Sequence, residues 1–329
     1  MVEGKPVVNF FRGLLYLSPA LIFLGIFTFY PLFNTFIFSF KENYNYMTGE
    51  FDAFGLGNYA ELLPASFFRQ SLLNTLIIVF VSVPLSLTLS LLISVALNSI
   101  KGFKRILQTV FFLPYVTNTI AIGMVFAVMF ESRQGLVNAF IRMCGGIGIN
   151  WLGGNLDYGL LFQGVDFSFL PETLSFVTPQ YLTGLVVLMI YIIWNSLPFK
   201  ILILLSSLQS IDKQYYQAAQ IDGTSKFRTL TRITAPLLSP QIIYLMITSF
   251  IGAFKEYNSI VAIIGPTATP YGYQSPIMGT VVWYLYQNIK GGKDGFGMGY
   301  AAAGSLLLFI IIMIITAINS RISKKFVHY

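Results

Sequence analysis

The chain has 329 residues, 55% of them hydrophobic and only 10% charged, with a mean hydropathy of +0.71 and a net charge of +7. A soluble domain carries about 25% charged residues, so this composition excludes an ordinary soluble protein and indicates an integral membrane protein. One cysteine (Cys144) and one histidine (His328) exclude an intramolecular disulfide and a Cys/His zinc site, and the basic balance reads as cytoplasmic-loop Lys and Arg, not as a nucleic-acid surface.

A membrane-crossing helix needs about 20 apolar residues, and six segments qualify. The first runs over 14–40. Its apolar stretch is too long for a signal-peptide core and no A-x-A site follows, so it reads as a retained helix. The others run over 70–98, 106–130, 181–208, 238–264 and 298–320. Pro19, Pro31, Pro84, Pro114 and Pro198 lie inside these spans, which membrane helices tolerate because neighbours re-satisfy the freed carbonyls. The expected fold class is an all-α membrane protein of six transmembrane helices.

Two longer loops, 41–69 and 131–180, lie on one side of the membrane, each with net charge −2. Within the second, QGLVNAFIRMCGG predicts a short amphipathic helix ending in glycines. On the opposite side the count of Lys and Arg is 13 against 7, with Lys200 among the 13 and KGFKR and RISKK dominating. The positive-inside rule then makes both termini cytoplasmic. The segments are a cytoplasmic N-terminus 1–13, the first helix with its outer loop 14–69, a main transmembrane region 70–322 and a cytoplasmic tail 323–329.

The cytoplasmic loop 209–240 is the most distinctive stretch. Asp212 can cap a short helix, KQYYQAAQID. Tyr215, Ala218, Ala219 and Asp222 recur on it at helical spacing, and the two small alanines admit close approach. Gly223 can adopt the left-handed conformation that closes a helix. Thr224 or Ser225 can cap a second helix, with Phe227, Leu230 and Ile233 or Thr234 on one side and Arg228 and Arg232 on another. Pro236 and Pro240 mark the start of the fifth span. The loop is either a solvated connector or a surface for a partner; its exposed apolar face favours the partner.

QAAQIDGTSKFRTLTRITAPLLSP resembles the EAA signature of permease subunits in binding-protein-dependent ABC importers. Ala218, Ala219, Asp222, Gly223, Ile233, Pro236 and Pro240 match the pattern, while Gln217 stands where Glu is usual and Ala235 where Leu is usual. PALIFLGIFTFYP, FLPYV, QGLVN and LLSSLQSIDKQYYQAAQIDG resemble the carbohydrate branch of that family, the maltose and oligosaccharide permeases. The resemblance implies a type I ABC importer transmembrane domain in the bacterial cytoplasmic membrane. It implies that the loop couples to an ATPase through Tyr215, Gln217, Ala218, Ala219, Asp222, Gly223, Lys226, Arg228, Ile233 and Pro236. Implied partners are a second, homologous permease subunit, an ATP-binding cassette ATPase dimer and an extracytoplasmic solute-binding protein, beside the membrane lipid.

No Gly-x-x-x-x-Gly-Lys-Ser/Thr stretch is present; in GGKDG, Lys293 is followed by Asp294. This chain therefore does not bind ATP through a P-loop; the importer resemblance implies ATP and Mg²⁺ on partner ATPase subunits, with no cofactor in this chain. No HExxH or nucleophile–base set suggests an enzyme. Polar groups inside spans mark a pathway by default: Asn118 in the third span; Tyr191, Trp194 and Asn195 in the fourth; Gly252, Lys255, Glu256, Tyr257 and Asn258 in the fifth. Lys255 can instead snorkel to the interface, and Trp and Tyr are also interface anchors. The family usually reads Phe-Asn-x-Phe-Asn where this chain has FKEYN, a departure towards charge. An importer of a non-sugar solute and a stand-alone secondary transporter remain the alternatives.

Overall fold

A computed structural model describes residues 6–100, 102, 104–153, 158–167, 170–171, 174–269, 276–291 and 297–323. Lys5, Lys101, Lys293, Lys324, Lys325, His328 and most of GGKDG lie outside the described residues. The chain is helical almost throughout and divides into two compact units, Met1–Pro64 with Leu285–Leu307, and Ala65–Tyr284 with Leu308–Tyr329.

In the first unit, α1 (Pro6–Leu24) passes through one π turn into α2 (Tyr30–Ser39), giving an apolar rod over Phe10–Ser39 long enough to cross a bilayer. Its Phe, Leu and Tyr side chains are largely exposed, as on a helix surrounded by lipid. A small hairpin follows, β1 (Lys41–Glu42) antiparallel to β2 (Ala53–Phe54). Lys41 Nζ lies between 4.7 and 6.0 Å from the ring centroids of Phe38, Tyr44, Phe51 and Phe54, an attraction of ring quadrupole for cation. Glu42 Oε1 accepts the Gly57 N–H at 2.7 Å, at the start of α3 (Gly57–Leu62). Asn58 Nδ2 donates to the Ser39 and Lys41 carbonyls. The loop after the first span is thus ordered by its own side chains.

The second unit is built on α4 (Ser66–Ser99) against α8 (Pro179–Ser210). Ser82, Ser86, Ser90 and Ser94 recur every fourth residue on α4 and are all buried; small residues let membrane helices approach closely. Thr178 caps α8, its Oγ1 accepting the Tyr181 N–H at 3.2 Å, with Pro179 in the first turn. Tyr181, Val187, Leu188, Tyr191, Ile260 and Met278 anchor the core. Asn74 Nδ2 donates to the Ile277 and Gly279 carbonyls, each at 2.9 Å, and its Oδ1 accepts from Tyr181 Oη–H at 2.8 Å. One buried amide therefore fastens the 277–279 segment to α4 and α8.

The sequence predicts the third and fifth spans as single segments, 106–130 and 238–264, and the structure breaks both. The third becomes α5 (Lys104–Val116) and α6 (Thr119–Met129), bent by 101°. The cause is local. Pro114 weakens the ladder, and Asn118 Oδ1 accepts the Ile120 and Ala121 N–H groups, starting a new helix. The fifth becomes α12 (Ser239–Phe254) and α13 (Asn258–Ile263). Glu256 Oε1 accepts the Ser259 N–H at 3.0 Å, an alternative to the helical bond. The expected amphipathic helix is α7 (Leu136–Met143), and Gly145 follows it at φ +84°. Buried Asn138 ties it to the Ser132 and Ile149 carbonyls, and accepts from Trp151 Nε1. Glu131 accepts the Arg133 and Gln134 N–H groups, which hold its carboxyl below the usual carboxylate range.

The last helices are α14 (Val281–Gly291), not foreseen in the sequence, and α15 (Gly297–Ser323), close to the predicted span 298–320. Four stretches are long and apolar enough to cross a membrane unbroken, and up to six if the bent pairs Ile106–Val116 with Thr119–Met129 and Lys226–Leu237 with Ser239–Phe254 are each one crossing.

Candidate functional site

Loop 209–240 folds into a knuckle with the predicted caps. α9 (Lys213–Ile221) starts at Asp212, whose Oδ1 accepts the Gln214 N–H at 2.9 Å. It stops because Gly223 sits at φ +64°, donating its N–H to the Gln220 carbonyl at 3.1 Å while Thr224 donates to the Ala219 carbonyl at 2.9 Å, the paired closure that a left-handed residue permits. Ser225, not Thr224, caps α10 (Lys226–Thr229), its Oγ accepting the Arg228 N–H. A π turn over Leu230–Thr234 and α11 (Ala235–Leu237) follow, and the arm meets α12 at a bend of 73°.

The π turn alters the predicted second helix. Leu230 and Ile233 are half-buried and Thr234 is buried, while Phe227 points away, 75% exposed. The two alanines also part: Ala219 is buried against the unit and Ala218 is exposed. Tyr216 Oη lies 3.3 Å from Thr234 Oγ1 and links the arms. Tyr215, Gln217, Asp222, Lys226 and Arg228 are exposed, and Pro236 is half-buried. Ile221, 86% exposed, adds an apolar side chain to the tip that the sequence reading overlooked. Ile221 and Phe227 flank the glycine corner, and large apolar side chains set out on a polar loop suit a partner's surface.

The polar residues of the spans converge only in part. A cavity of about 410 Å³ is lined by α4, α5, α6, α8 and α12, with the break after α12. Of the residues expected to mark a pathway, Asn195, Gly252 and Glu256 line it. Asn118 is exposed and spends its carbonyl oxygen on the α6 cap. Tyr191 is fully buried, its hydroxyl bonded to the Thr119 carbonyl and its ring edge-on to Phe126. Trp194 packs on the same Phe126 ring at 5.0 Å. Lys255 is exposed at the end of α12, Tyr257 packs against the core and Asn258 is exposed at the start of α13. Lys255 and Glu256 therefore do not sit on a continuous helix.

Lys200 is the main correction. The positive-inside count treats it as a cytoplasmic-side cation; it is 4% exposed within α8 and lines the cavity. Its Nζ donates to Ser86 Oγ and to Ser196 Oγ, the latter at 3.2 Å. The available signal was a lysine two residues after Pro198 inside a span, facing a serine-spaced α4. A larger cavity of about 540 Å³ at α5 and α8 has no charged lining residue and offers no comparable chemistry.

The family described as "Binding-protein-dependent transport system inner membrane component" matches residues 53–328. The arabinooligosaccharides transport system permease protein AraP of Bacillus subtilis (strain 168) is 28% identical over 316 residues, covering 95% of this chain and 88% of that protein. The trehalose/maltose transport system permease protein MalF of Thermococcus litoralis is 27% identical, covering 95% and 93%. A chain from the structure of a bacterial alginate ABC transporter, in complex with an alginate pentasaccharide-bound periplasmic protein, shares the fold: TM-score 0.75, 19% identity, 98% of each chain covered. This chain therefore belongs to the family of inner-membrane components of binding-protein-dependent transport systems: it is a multi-pass permease subunit and not an enzyme.

Proposed function

We propose that this chain is one permease subunit of an ATP-driven oligosaccharide importer, that it forms half of the translocation path, and that it receives its stroke through the α9–α10 knuckle. The broken α5–α6 pair is read as one crossing and α12 with α13 as another, which with the four unbroken stretches gives six, with both termini cytoplasmic. A second, similar permease, an ATPase dimer carrying ATP and Mg²⁺, and an extracytoplasmic binding protein complete the machine. The loops after the first span and around α7 face the binding protein.

The knuckle carries the reading. Gly223 at φ +64° sets two short capped helices at a corner, with Ile221 and Phe227 exposed beside it. A rigid corner with an apolar tip can pass a displacement to the helices it continues into, the lever a rigid-body switch needs. The relatives named for arabinooligosaccharides and for trehalose/maltose support a saccharide substrate.

The test is co-purification from membranes of the native host. The tagged chain should bring down an ATPase, and Ile221→Asp with Phe227→Asp should lose that ATPase at unchanged membrane level. An ATPase retained by the double variant, or none bound by the parent chain, would sink the assignment.

A further inference from the structure

We infer that the Lys200 cavity takes a saccharide bearing a carboxylate, whose charge Lys200 Nζ meets. This rests on the permease reading above and names the substrate class.

Ser86 Oγ donates to the Val83 carbonyl at 3.0 Å and Ser196 Oγ donates to the Ile193 carbonyl at 2.8 Å. Both hydroxyl protons are therefore committed to backbone, and both oxygens turn lone pairs to Lys200 Nζ. An ammonium has three donors; two are fixed by the serines and one is left for an occupant of the cavity. The serines are neutral. A cation held away from water by neutral partners is costly, so ionisable groups inside membrane proteins mark function. A neutral sugar does not need such a group, because hydroxyls are recognised by amides, hydroxyls and aromatic faces.

Those elements are present as well. Asn195, Thr248 and Ser249 line the cavity, and Tyr115 and Phe199 line it as a stacked pair with centroids 5.5 Å apart. Glu256 lines it too, its Oε1 held by the Ser259 N–H. A carboxylate so fixed accepts sugar hydroxyls and repels a second anion. Within one cavity, then, an acid has one favoured place, at Lys200, and the neutral ring face and hydroxyls have others.

The test uses the assembled importer in lipid nanodiscs without its binding protein. Equilibrium binding of digalacturonate is compared with that of galactobiose and of digalacturonate dimethyl ester. Digalacturonate should bind roughly tenfold tighter than either neutral sugar, the increment of a charge-assisted hydrogen bond. Lys200→Gln should erase that preference while sparing galactobiose, and Lys200→Arg should keep most of it. The ester comparison needs no substitution, so it stands even where Lys200→Gln fails to assemble. Equal affinity for acid and ester, as expected if an acidic side chain of the second permease satisfies Lys200, overturns the inference. So does a preference that survives Lys200→Gln. Either result with an intact, ATP-hydrolysing complex leaves the importer reading standing, whereas a chain without any ATPase removes that reading instead.

Discussion

The knuckle and the cavity are built by opposite means. In the knuckle the helix starts and stops are set within a few residues of their effect: Asp212 caps α9, Gly223 ends it, Ser225 starts α10, and only the Tyr216–Thr234 link reaches further, 18 residues along the chain. In the cavity the partners come from far apart in the chain, Ser86 and Lys200 being 114 residues distant. A region built locally keeps its shape when neighbours move, as a transmitting part must. A region built by convergence changes shape when helices shift, as a passage must.

The sharpest way to break this contrast is at the corner. Gly223→Val forces a β-branched residue to φ +64°, at about 1–3 kcal/mol. Nothing lies within 4 Å of the position a Cβ would take, so the penalty is conformational and not a clash. Solute uptake and ATPase attachment should both be lost, while Gly223→Asn, which tolerates the left-handed region, retains most of each. Equal activity of the two variants in an uptake assay would show that the corner's conformation is immaterial.

An intermediate effect is expected on the convergent side. Asn74→Ala leaves the Ile277 and Gly279 carbonyls and the Tyr181 hydroxyl without that partner, at about 1–3 kcal/mol for a buried group so stranded. Thermal unfolding of the purified complex should occur at lower temperature with ATPase attachment unchanged. A simultaneous loss of attachment would mean the two regions are not separable.

The smallest effect is set by pH in the loop before α7. The Arg133 and Gln134 N–H groups depress the Glu131 carboxyl. Its contribution is therefore complete above the ordinary carboxylate range and disappears as pH falls through the depressed value. Glu131→Gln should flatten the acid-side decline in loop protection, read by hydrogen exchange around α7, with the neutral-pH behaviour of cavity and knuckle untouched. An identical decline in the variant would place the acid sensitivity elsewhere.

The same contrast explains what could be read in advance. Apolar length located the long helices, because twenty consecutive apolar residues have few alternatives in a protein. The caps of the knuckle were legible because Asp, Ser and Gly act on their own neighbours. Asn118 and Glu256 carried the same kind of signal, but inside apolar runs they read as pathway groups, and the helix breaks they cause were missed. Lys200 was misplaced because counting charges by segment has no knowledge of the α4 serine it meets. Ala218 and Ala219 were read as one surface, and only packing separates the exposed one from the buried one.

The serine column on α4 has a mechanical corollary. Ser86, Ser90 and Ser94 each satisfy their proton on a carbonyl of their own helix. Ser94 also reaches the Ile201 carbonyl, and Lys200 latches onto Ser86; these are the side-chain ties between α4 and the 200–201 region among the described residues. Along the serine column the contact is nearly self-contained, like a rail with two detents, while the Tyr181 hydroxyl on Asn74 pins its other end. Two rods joined in this way resist being pulled apart yet can pivot about the pinned end once the detents release.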